Sequence, residues 1–240
     1  MSHPERIVPD ETESGVVALH LKRYLFARPW CEGREVLDVA CGAGYGTAAL
    51  ADVAARVTGG DVDGETIDYA RTRYARDNVE FRVLDATSLP FADESFDTIC
   101  SFETIEHLDR PDAFVREAAR VLRQDGVALV STPHVERTTR QPANPFHRVE
   151  LAAVDFEALL RTGFSTVTLY GQRRLRTRRH ELLRRLDVIG LRRRSALLRR
   201  ATVLTGTHAT EHATLDEVAI TPGVSRDATE LVAVCTGPRR

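Results

Sequence analysis

The 240-residue sequence has few cysteines and no long apolar run. Its four cysteines form no Cys-x-x-Cys pair, which argues against a disulfide framework and against a thiolate zinc site. Cys41, Cys100 and Cys235 lie in or beside predicted strands, so we expect reduced, buried thiols. No apolar stretch reaches the roughly 18 residues of a membrane span, and the first residues lack the apolar core of a signal peptide. These features predict a protein that stays in the cytoplasm.

An excess of charge of one sign is also missing. The 33 basic and 35 acidic residues leave a net charge of −2, which gives no general attraction to nucleic acid. A hydrophobic content of 42% and a charged content of 28% are ordinary for a globular protein. A chain of this length most often folds as one domain, so we predict a single domain over residues 1–240.

Three glycines at alternate positions, 42, 44 and 46, follow an apolar run. The run Glu35–Val39 and the helical pattern Thr47–Ala55 predict a buried strand, a tight turn without side chains, and a helix. Such a turn lets a ligand approach the backbone and meet the free N–H groups of the helix. Nucleotide-binding folds of several chemistries use a turn of this kind, so the turn does not identify the ligand.

Two aspartates beside the turn narrow the choice of ligand. The glycine spacing differs from the Gly-x-Gly-x-x-Gly of dinucleotide sites, and Asp38 would repel a pyrophosphate but attract an ammonium group. The second predicted strand ends at Asp61, 19 residues after Gly42, where an acid can accept both hydroxyls of a ribose. The two sites together fit S-adenosylmethionine (SAM). The alternative is a structural turn followed by a surface aspartate.

The segment Val36–Gly44, VLDVACGAG, resembles motif I of the class I SAM-dependent methyltransferases, and the closer match is their type 11 group. The similarity is strong from about Val36 to Pro133. It implies an α/β, Rossmann-like fold with a mostly parallel seven-stranded sheet flanked by helices and an antiparallel last strand, Thr229–Cys235. Strand and helix patterns alternate along the chain, which agrees with right-handed parallel crossovers.

The resemblance also implies which residues hold SAM, whose product after methyl transfer is S-adenosylhomocysteine. Asp85 would face the adenine amino group and Ala86 would supply backbone contacts, unless Asp85 is only a surface turn residue. Residues 1–30, with a helix over Glu11–Ala27, resemble a lid over the cofactor; alternatively, this helix only covers the sheet edge. The predicted cofactor-binding residues are Asp38, Ala40, Gly42, Gly44, Asp61, Val62, Asp85, Ala86, Phe102 and, from the lid, His20 and Tyr24.

A basic segment precedes the last strand. Twelve arginines lie between Arg173 and Arg200, interleaved with leucines, and predict a basic helical insertion over residues 171–215. It is either a solvated helical cap, or a rim for a phosphate-bearing or lipid-linked substrate, or a patch touching an anionic membrane. Nucleic acid is poorly supported there, because stacking aromatics are absent from the segment.

Two histidines are candidates for removing a proton from a hydroxyl acceptor. His107 follows the fourth predicted strand, and His147 lies in the long loop Pro133–Arg148, within a segment Asn-Pro-Phe-His. An imidazole titrates near neutral pH, so either could act as a general base. His107 could instead cap a helix. Chains resembling this one carry a similar Asn-Pro-Phe-His segment near their acceptor cleft.

The sequence Glu103-x-x-Glu106-His107 raises the question of a metal. Two carboxylates and an imidazole on one turn could hold Mg²⁺ or Mn²⁺, and some quinone and RNA-end methyltransferases use a similar pattern. Such sites usually need a further ligand, and none adjoins this motif. His147 could supply one in space, which a sequence does not show. Our prediction is therefore a site without a metal.

These features predict a methyltransferase that modifies a hydroxyl of a small molecule. A sugar, a glycan precursor or a natural-product scaffold is the first choice, because the long loop and Asn-Pro-Phe-His resemble enzymes of glycan and envelope pathways. One alternative is a quinone or phenol O-methyltransferase at the membrane surface. The other is a non-catalytic SAM-binding subunit that activates a partner.

Overall fold

An eight-stranded sheet forms the centre of the fold. The structure is a computed structural model that describes residues 6–175 and 214–239. The strand order across the sheet is β3-β2-β1-β4-β5-β8-β6-β7. The strands are β1 (Glu35–Val39), β2 (Arg56–Asp61), β3 (Val79–Val83), β4 (Phe96–Phe102), β5 (Leu122–Pro133), β6 (Phe164–Arg174), β7 (Val218–Pro222) and β8 (Glu230–Pro238).

Six of the strands run in one direction. The pairs β2–β3, β1–β2, β1–β4 and β4–β5 are parallel, and β8 lies antiparallel between β5 and β6 with Ala128 opposite Cys235. The Rossmann-like prediction and the antiparallel last strand are confirmed. The predicted count of seven strands is wrong, because β7 pairs with the far edge of β6. Its five residues are too few for an alternating pattern to stand out.

Five helices cover the sheet in the part of the chain that the structure describes: α1 (Ser14–Ala27), α2 (Tyr45–Ala51), α3 (Gly64–Tyr74), α4 (Pro111–Val121) and α5 (Ala153–Leu160). Helix α1 begins three residues later than predicted, and α2 begins and ends earlier than its predicted range. Helix α4 begins at a proline, whose missing N–H costs nothing at the first helical position.

The central strands are buried on both faces, as parallel strands flanked by helices must be. Neighbouring side chains of a strand point to opposite faces, so Val36 and Leu37 enter two different apolar clusters. Leu37 packs in a cluster with α4 and α5, whereas Val36 packs in one with α1 and α2. All four cysteines are unpaired and buried, which confirms the prediction of buried thiols.

The predicted basic insertion lies mostly outside the described residues. Of its range, Gly171–Arg174 is not helical but continues β6, where it pairs with β7. The predicted helices fall within residues 176–213, which the structure does not describe. Among residues 6–175 and 214–239, no helix has both the length and the apolar character that crossing a membrane requires.

Candidate functional site

A cavity of about 760 Å³ opens at the carboxyl ends of β1 to β5. Ligands of open α/β sheets bind at this edge, and small-molecule pockets have volumes of about 300–1,000 Å³. The strand order places the residues that follow β3, β2, β1, β4 and β5 in a row along it. We call the part after β3, β2 and β1 the cofactor end, and the part after β4 and β5 the histidine end.

The glycine turn after β1 has an unusual backbone. Ala40, Gly42 and Gly44 all have positive φ angles, of 58°, 53° and 88°. A Cβ on Gly44 would lie 2.8 Å from the Cβ of Ala70, so this glycine lets α2 pack against α3. Ala40 holds a conformation that costs a non-glycine residue about 1 kcal/mol or more, and such strain concentrates at binding sites. Ala40 and Gly42 line the cavity, whereas Gly44 lies behind it.

Asp61 joins two turns at the cofactor end. Its carboxylate accepts the N–H of Gly42 and the N–H of Asp63, each at 3.0 Å. The guanidinium of Arg6 is 3.7 Å away and donates to Asp63 at 2.6 Å. Asp61 therefore has a fixed orientation at the cavity wall, at the position predicted for the ribose acceptor. Arg6, from the polar start of the chain, also lines the cavity, and no motif or periodic pattern around it predicted this.

Asp38 lies behind the cavity wall. It is fully buried, accepts a hydrogen bond from the Thr47 hydroxyl at 2.6 Å, and lies 3.4 Å from the Tyr24 hydroxyl, which donates to it. Burial raises the pKa of its carboxyl from 3.8 to about 7, although the bonds from Thr47 and Tyr24 lower it. Asp38 and Gly44 are the two predicted cofactor residues that do not line the cavity.

The remaining cofactor-end residues stand at the mouth. Asp85 is exposed after β3, and its Oδ1 accepts both the N–H and the hydroxyl of Thr87, each at 2.7 Å. Ala86 beside it is buried, and Val62 after β2 is 74% exposed. All three line the cavity, as does Phe102 at the end of β4.

Helix α1 is packed as a wall of the cavity. Tyr24 is buried against Gly46, where a Cβ would come within 2.0 Å of the ring, and its ring meets Tyr45 and Phe102 edge-on. Arg23 is also buried, with Nη1 3.4 Å from Gln172. His20 and Tyr24 both line the cavity, and their contact with a cofactor stays a prediction. Burial lowers the pKa of His20 and raises the pKa of Tyr24. The motion of a lid stays a prediction.

The turn after β4 buries one acid and leaves another at the wall. Glu103, at a positive φ of 53°, accepts a hydrogen bond from the Ser131 hydroxyl at 2.7 Å and lies 3.9 Å from Arg23. Glu106 is 1% exposed; its Oε2 accepts the Thr132 hydroxyl, while its Oε1 has no partner among the described residues. Burial, with the nearby Glu103, raises the pKa of Glu106 well above its usual range.

The two candidate histidines meet at the histidine end. The rings of His107 and His147 lie edge to face, with centroids 4.9 Å apart. The long loop reaches them because the backbone carbonyl of Glu106 accepts the N–H of Arg148 at 2.7 Å. One ligand atom each of Glu106, His107 and His147 lies within 4.8 Å of the others. Glu103, which the sequence placed in this set, is not a member.

The hydrogen bonds of this loop fix the form of both imidazoles. Oδ1 of Asn144 accepts the N–H of Phe146, so its amide NH₂ faces Nε2 of His147 at 3.0 Å. Nε2 of His147 is then the acceptor, and its Nδ1 donates to Glu150 at 2.8 Å. Nδ1 of His107 lies 3.2 Å from the carbonyl of Phe146, which only accepts. The neutral form of each ring therefore carries its lone pair on Nε2.

The comparisons with known proteins agree with this geometry. Residues 37–130 match a family model described as a methyltransferase domain. A probable SAM-dependent methyltransferase of Mycobacterium tuberculosis is 40% identical over 174 residues, 70% of this chain and 62% of that protein. Residues 37–130 are a class I SAM-dependent methyltransferase domain of the type 11 group.

One further sequence relative and one solved structure also resemble this chain. A ubiquinone biosynthesis O-methyltransferase of Sinorhizobium medicae is 34% identical over 129 residues, 53% of this chain and 51% of that protein. A solved SAM-dependent methyltransferase of Thermotoga maritima aligns over 93% of each chain with a TM-score of 0.64 and 16% identity, a likeness of fold alone. The chain thus spans less than two thirds of the two sequence relatives.

SAM, the cofactor of this family, fits the residues of the methyltransferase domain. Asp61 and Asp85 line the cavity, and carboxylate oxygens can accept hydrogen bonds from ribose hydroxyls or from an exocyclic amine. The acids that line the cavity favour a positive sulfonium and an ammonium group over a pyrophosphate. Gly42 faces open space, since no atom lies within 4 Å of where its Cβ would be. A nucleoside can therefore approach the backbone there.

Proposed function

We propose that this chain transfers the methyl group of SAM to a hydroxyl group of a small molecule. One observation carries the proposal: a single cavity is lined by Asp61 and Asp85 at one end and by His107 and His147 at the other. A methyl donor held at the cofactor end would then face an acceptor at the histidine end. This juxtaposition is what an in-line displacement requires.

The protein has three tasks in such a reaction. Asp61 and Asp85 would bind the ribose and adenine of SAM, which supplies an electrophilic methyl group. Helix α1, through Tyr24 and His20, would exclude water from the sulfonium. Asp38 would act from behind the wall by holding Tyr24 and Thr47 in place.

The hydroxyl proton would leave at the histidine end. The Phe146 carbonyl holds His107 in the tautomer whose Nε2 can take up a proton. His147 holds its own lone pair toward Asn144, which would have to move before His147 could act. His107 is therefore the better placed of the two predicted bases.

A sugar or glycan precursor remains the first acceptor class, because His107, Asn144 and His147 line the cavity and could form hydrogen bonds with several hydroxyls. A quinol or phenol is the second candidate, supported by the similarity to a ubiquinone biosynthesis O-methyltransferase. The two classes differ in what the cavity must offer: hydrogen bonds to several hydroxyls, or apolar contact with a ring.

The test is incubation of the purified chain with methyl-labelled SAM and two acceptor sets, one of sugars and glycan precursors and one of quinols and phenols. We expect label in the first set, with S-adenosylhomocysteine formed in equal amount. Label only in the second set would assign the quinol class. A chain that binds SAM but forms no S-adenosylhomocysteine with any acceptor would be a binding subunit instead.

A further inference from the structure

Three side chains at the histidine end form a group that the methyl transfer itself does not explain. Glu106 and His107 come from the turn after β4, and His147 comes from a loop some 40 residues further along the chain. The structure brings one ligand atom of each within 4.8 Å of the others. Two imidazole nitrogens and one carboxylate oxygen are a recurrent ligand set for divalent transition metals.

The buried carboxylate of Glu106 is the first observation that points to a cation. The side chain is 1% exposed, and its Oε1 makes no hydrogen bond with any residue that the structure describes. A buried carboxylate oxygen without a partner is costly, and a coordinated cation removes that cost. Arg23, a buried cation on α1, lies against Glu103 rather than completing this group.

The outer contacts of the two histidines are the second observation. Metal-bound histidines donate their other ring N–H to a carboxylate or a backbone carbonyl. Here Nδ1 of His147 donates to Glu150 at 2.8 Å, and Nδ1 of His107 donates to the Phe146 carbonyl at 3.2 Å. Because Nδ1 of each ring is used in this way, Nε2 is the nitrogen that a metal would take.

We propose that Glu106, His107 and His147 bind one divalent transition-metal ion of the Zn²⁺, Mn²⁺ or Fe²⁺ class. The two nitrogen ligands favour such ions over Mg²⁺, which prefers oxygen ligands and retained water. Metal–ligand distances near 2.1 Å require donor atoms roughly 3–3.5 Å apart, so the loop closes inward on binding. The amide of Asn144 gives up its bond to His147 when this happens.

The site deepens the proposed function, on which its role in the reaction rests. The ion would bind the acceptor hydroxyl oxygen and lower its pKa, so that the proton leaves to water at the mouth of the cavity. The oxygen's electron pair then forms the bond to the methyl carbon, and the carbon–sulfur pair returns to sulfur to give a neutral thioether. His107 and His147 hold the ion in this form, so the base role of His107 applies to the metal-free chain.

Calorimetric titration of the untagged, chelator-treated chain with Zn²⁺, Mn²⁺ and Mg²⁺ tests the site without SAM or acceptor. We expect one Zn²⁺ or Mn²⁺ per chain and weaker binding of Mg²⁺. Glu106→Gln and His147→Ala should abolish binding, and Glu150→Gln should weaken it about 10–100-fold. Co²⁺ absorption in the visible range reports whether nitrogen ligands surround the ion, and we expect its spectrum to change in His147→Ala.

The controls are neighbouring groups outside the site. Glu103→Gln, His134→Ala and the double variant His208→Ala, His212→Ala, whose positions lie outside the described residues, should bind the ion as the unaltered chain does. Absence of binding, or equal loss in the controls, overturns the proposal, as does unchanged binding in Glu106→Gln or His147→Ala. SAM binding shows whether each variant is folded. If Glu106→Gln does not fold, metal binding by His147→Ala, a change in a loop, decides whether the proposal holds. Methyl transfer by a chain that binds no metal would refute the metal site but support the proposed function.

Discussion

The two ends of the cavity are built in different ways. At the cofactor end each functional residue follows its own strand directly, as Gly42 follows β1, Asp61 ends β2 and Asp85 follows β3. At the histidine end a turn after β4 has to meet a loop after β5, and the contact depends on the Glu106 carbonyl binding the Arg148 N–H. The first arrangement is fixed by the sheet, whereas the second is fixed by long-range hydrogen bonds.

This contrast predicts that the ends can be damaged separately. Replacing His107 or His147 by glutamine should lower kcat by about 10²–10⁴-fold with SAM affinity unchanged, because these rings either remove the proton or hold the ion that promotes its loss. Turnover assays and calorimetry on the same preparations measure both quantities. His134→Ala, in the same loop but not lining the cavity, is the matched control. Equal losses of SAM affinity and of turnover would mean that the histidines are structural.

The buried Asp38, behind the cavity wall, should make the stability of the fold depend on pH. Burial raises the pKa of Asp38 to about 7 from an unfolded value of 3.8, so the folded chain binds the extra proton. The contribution of this group to stability is therefore present below about pH 4, is lost as the pH rises, and is gone above about pH 7. At roughly 1.4 kcal/mol per pKa unit, the loss amounts to a few kcal/mol.

Asp38→Asn tests this prediction by urea unfolding at several pH values. The variant should lose part of the fall in unfolding free energy between pH 4 and 7 that the unaltered chain shows, because an amide does not titrate. The buried Glu106, whose pKa is also raised, should account for a further part of the same fall. If the unfolding free energies of the two proteins change with pH in the same way, the raised pKa of Asp38 is contradicted.

The contact between α1 and α2 beside the cofactor end should tolerate little added bulk. Gly46→Ala places a Cβ about 2.0 Å from the Tyr24 ring, so we expect a loss of about 1–3 kcal/mol in unfolding free energy. Gly64→Ala is the matched control, because its nearest neighbour is a Val83 methyl 3.9 Å away. It should be neutral or slightly stabilising. Equal stability of the two variants would show that α1 moves aside freely.

Asp61→Ala should weaken SAM binding by about 1–3 kcal/mol, the cost of leaving ribose hydroxyls without an acceptor. Calorimetry measures the effect directly. Asp63→Ala removes the other carboxylate that pairs with Arg6 but lines no part of the cavity, so its effect on SAM should be small. Unchanged affinity in Asp61→Ala would refute the ribose assignment.

The same contrast between the two ends explains which parts of the site could be predicted from the sequence. The cofactor end was predictable because apolar strands, glycines and acids follow one another within a few residues. Asp38 was placed in the cavity because sequence spacing does not show that its buried carboxylate bonds to Tyr24 and Thr47 instead. Glu103 was taken as a partner of Glu106 on spacing alone. In three dimensions Glu103 accepts a hydrogen bond from Ser131, and His147 is the residue that lies beside Glu106 and His107. The sequence of β7, at five residues, was too short to be read as a strand.

The position of β8 has a consequence for biosynthesis. This strand forms the junction between β5 and β6, and therefore also connects the β6–β7 pair to the rest of the sheet. A nascent chain can assemble β1 to β5 on the ribosome, but β6 and β7 have no template until residue 238 has emerged. Their ribbon must wait with open edges, where intermolecular pairing starts most easily. Chaperone demand during translation should accordingly concentrate in the final segment of synthesis.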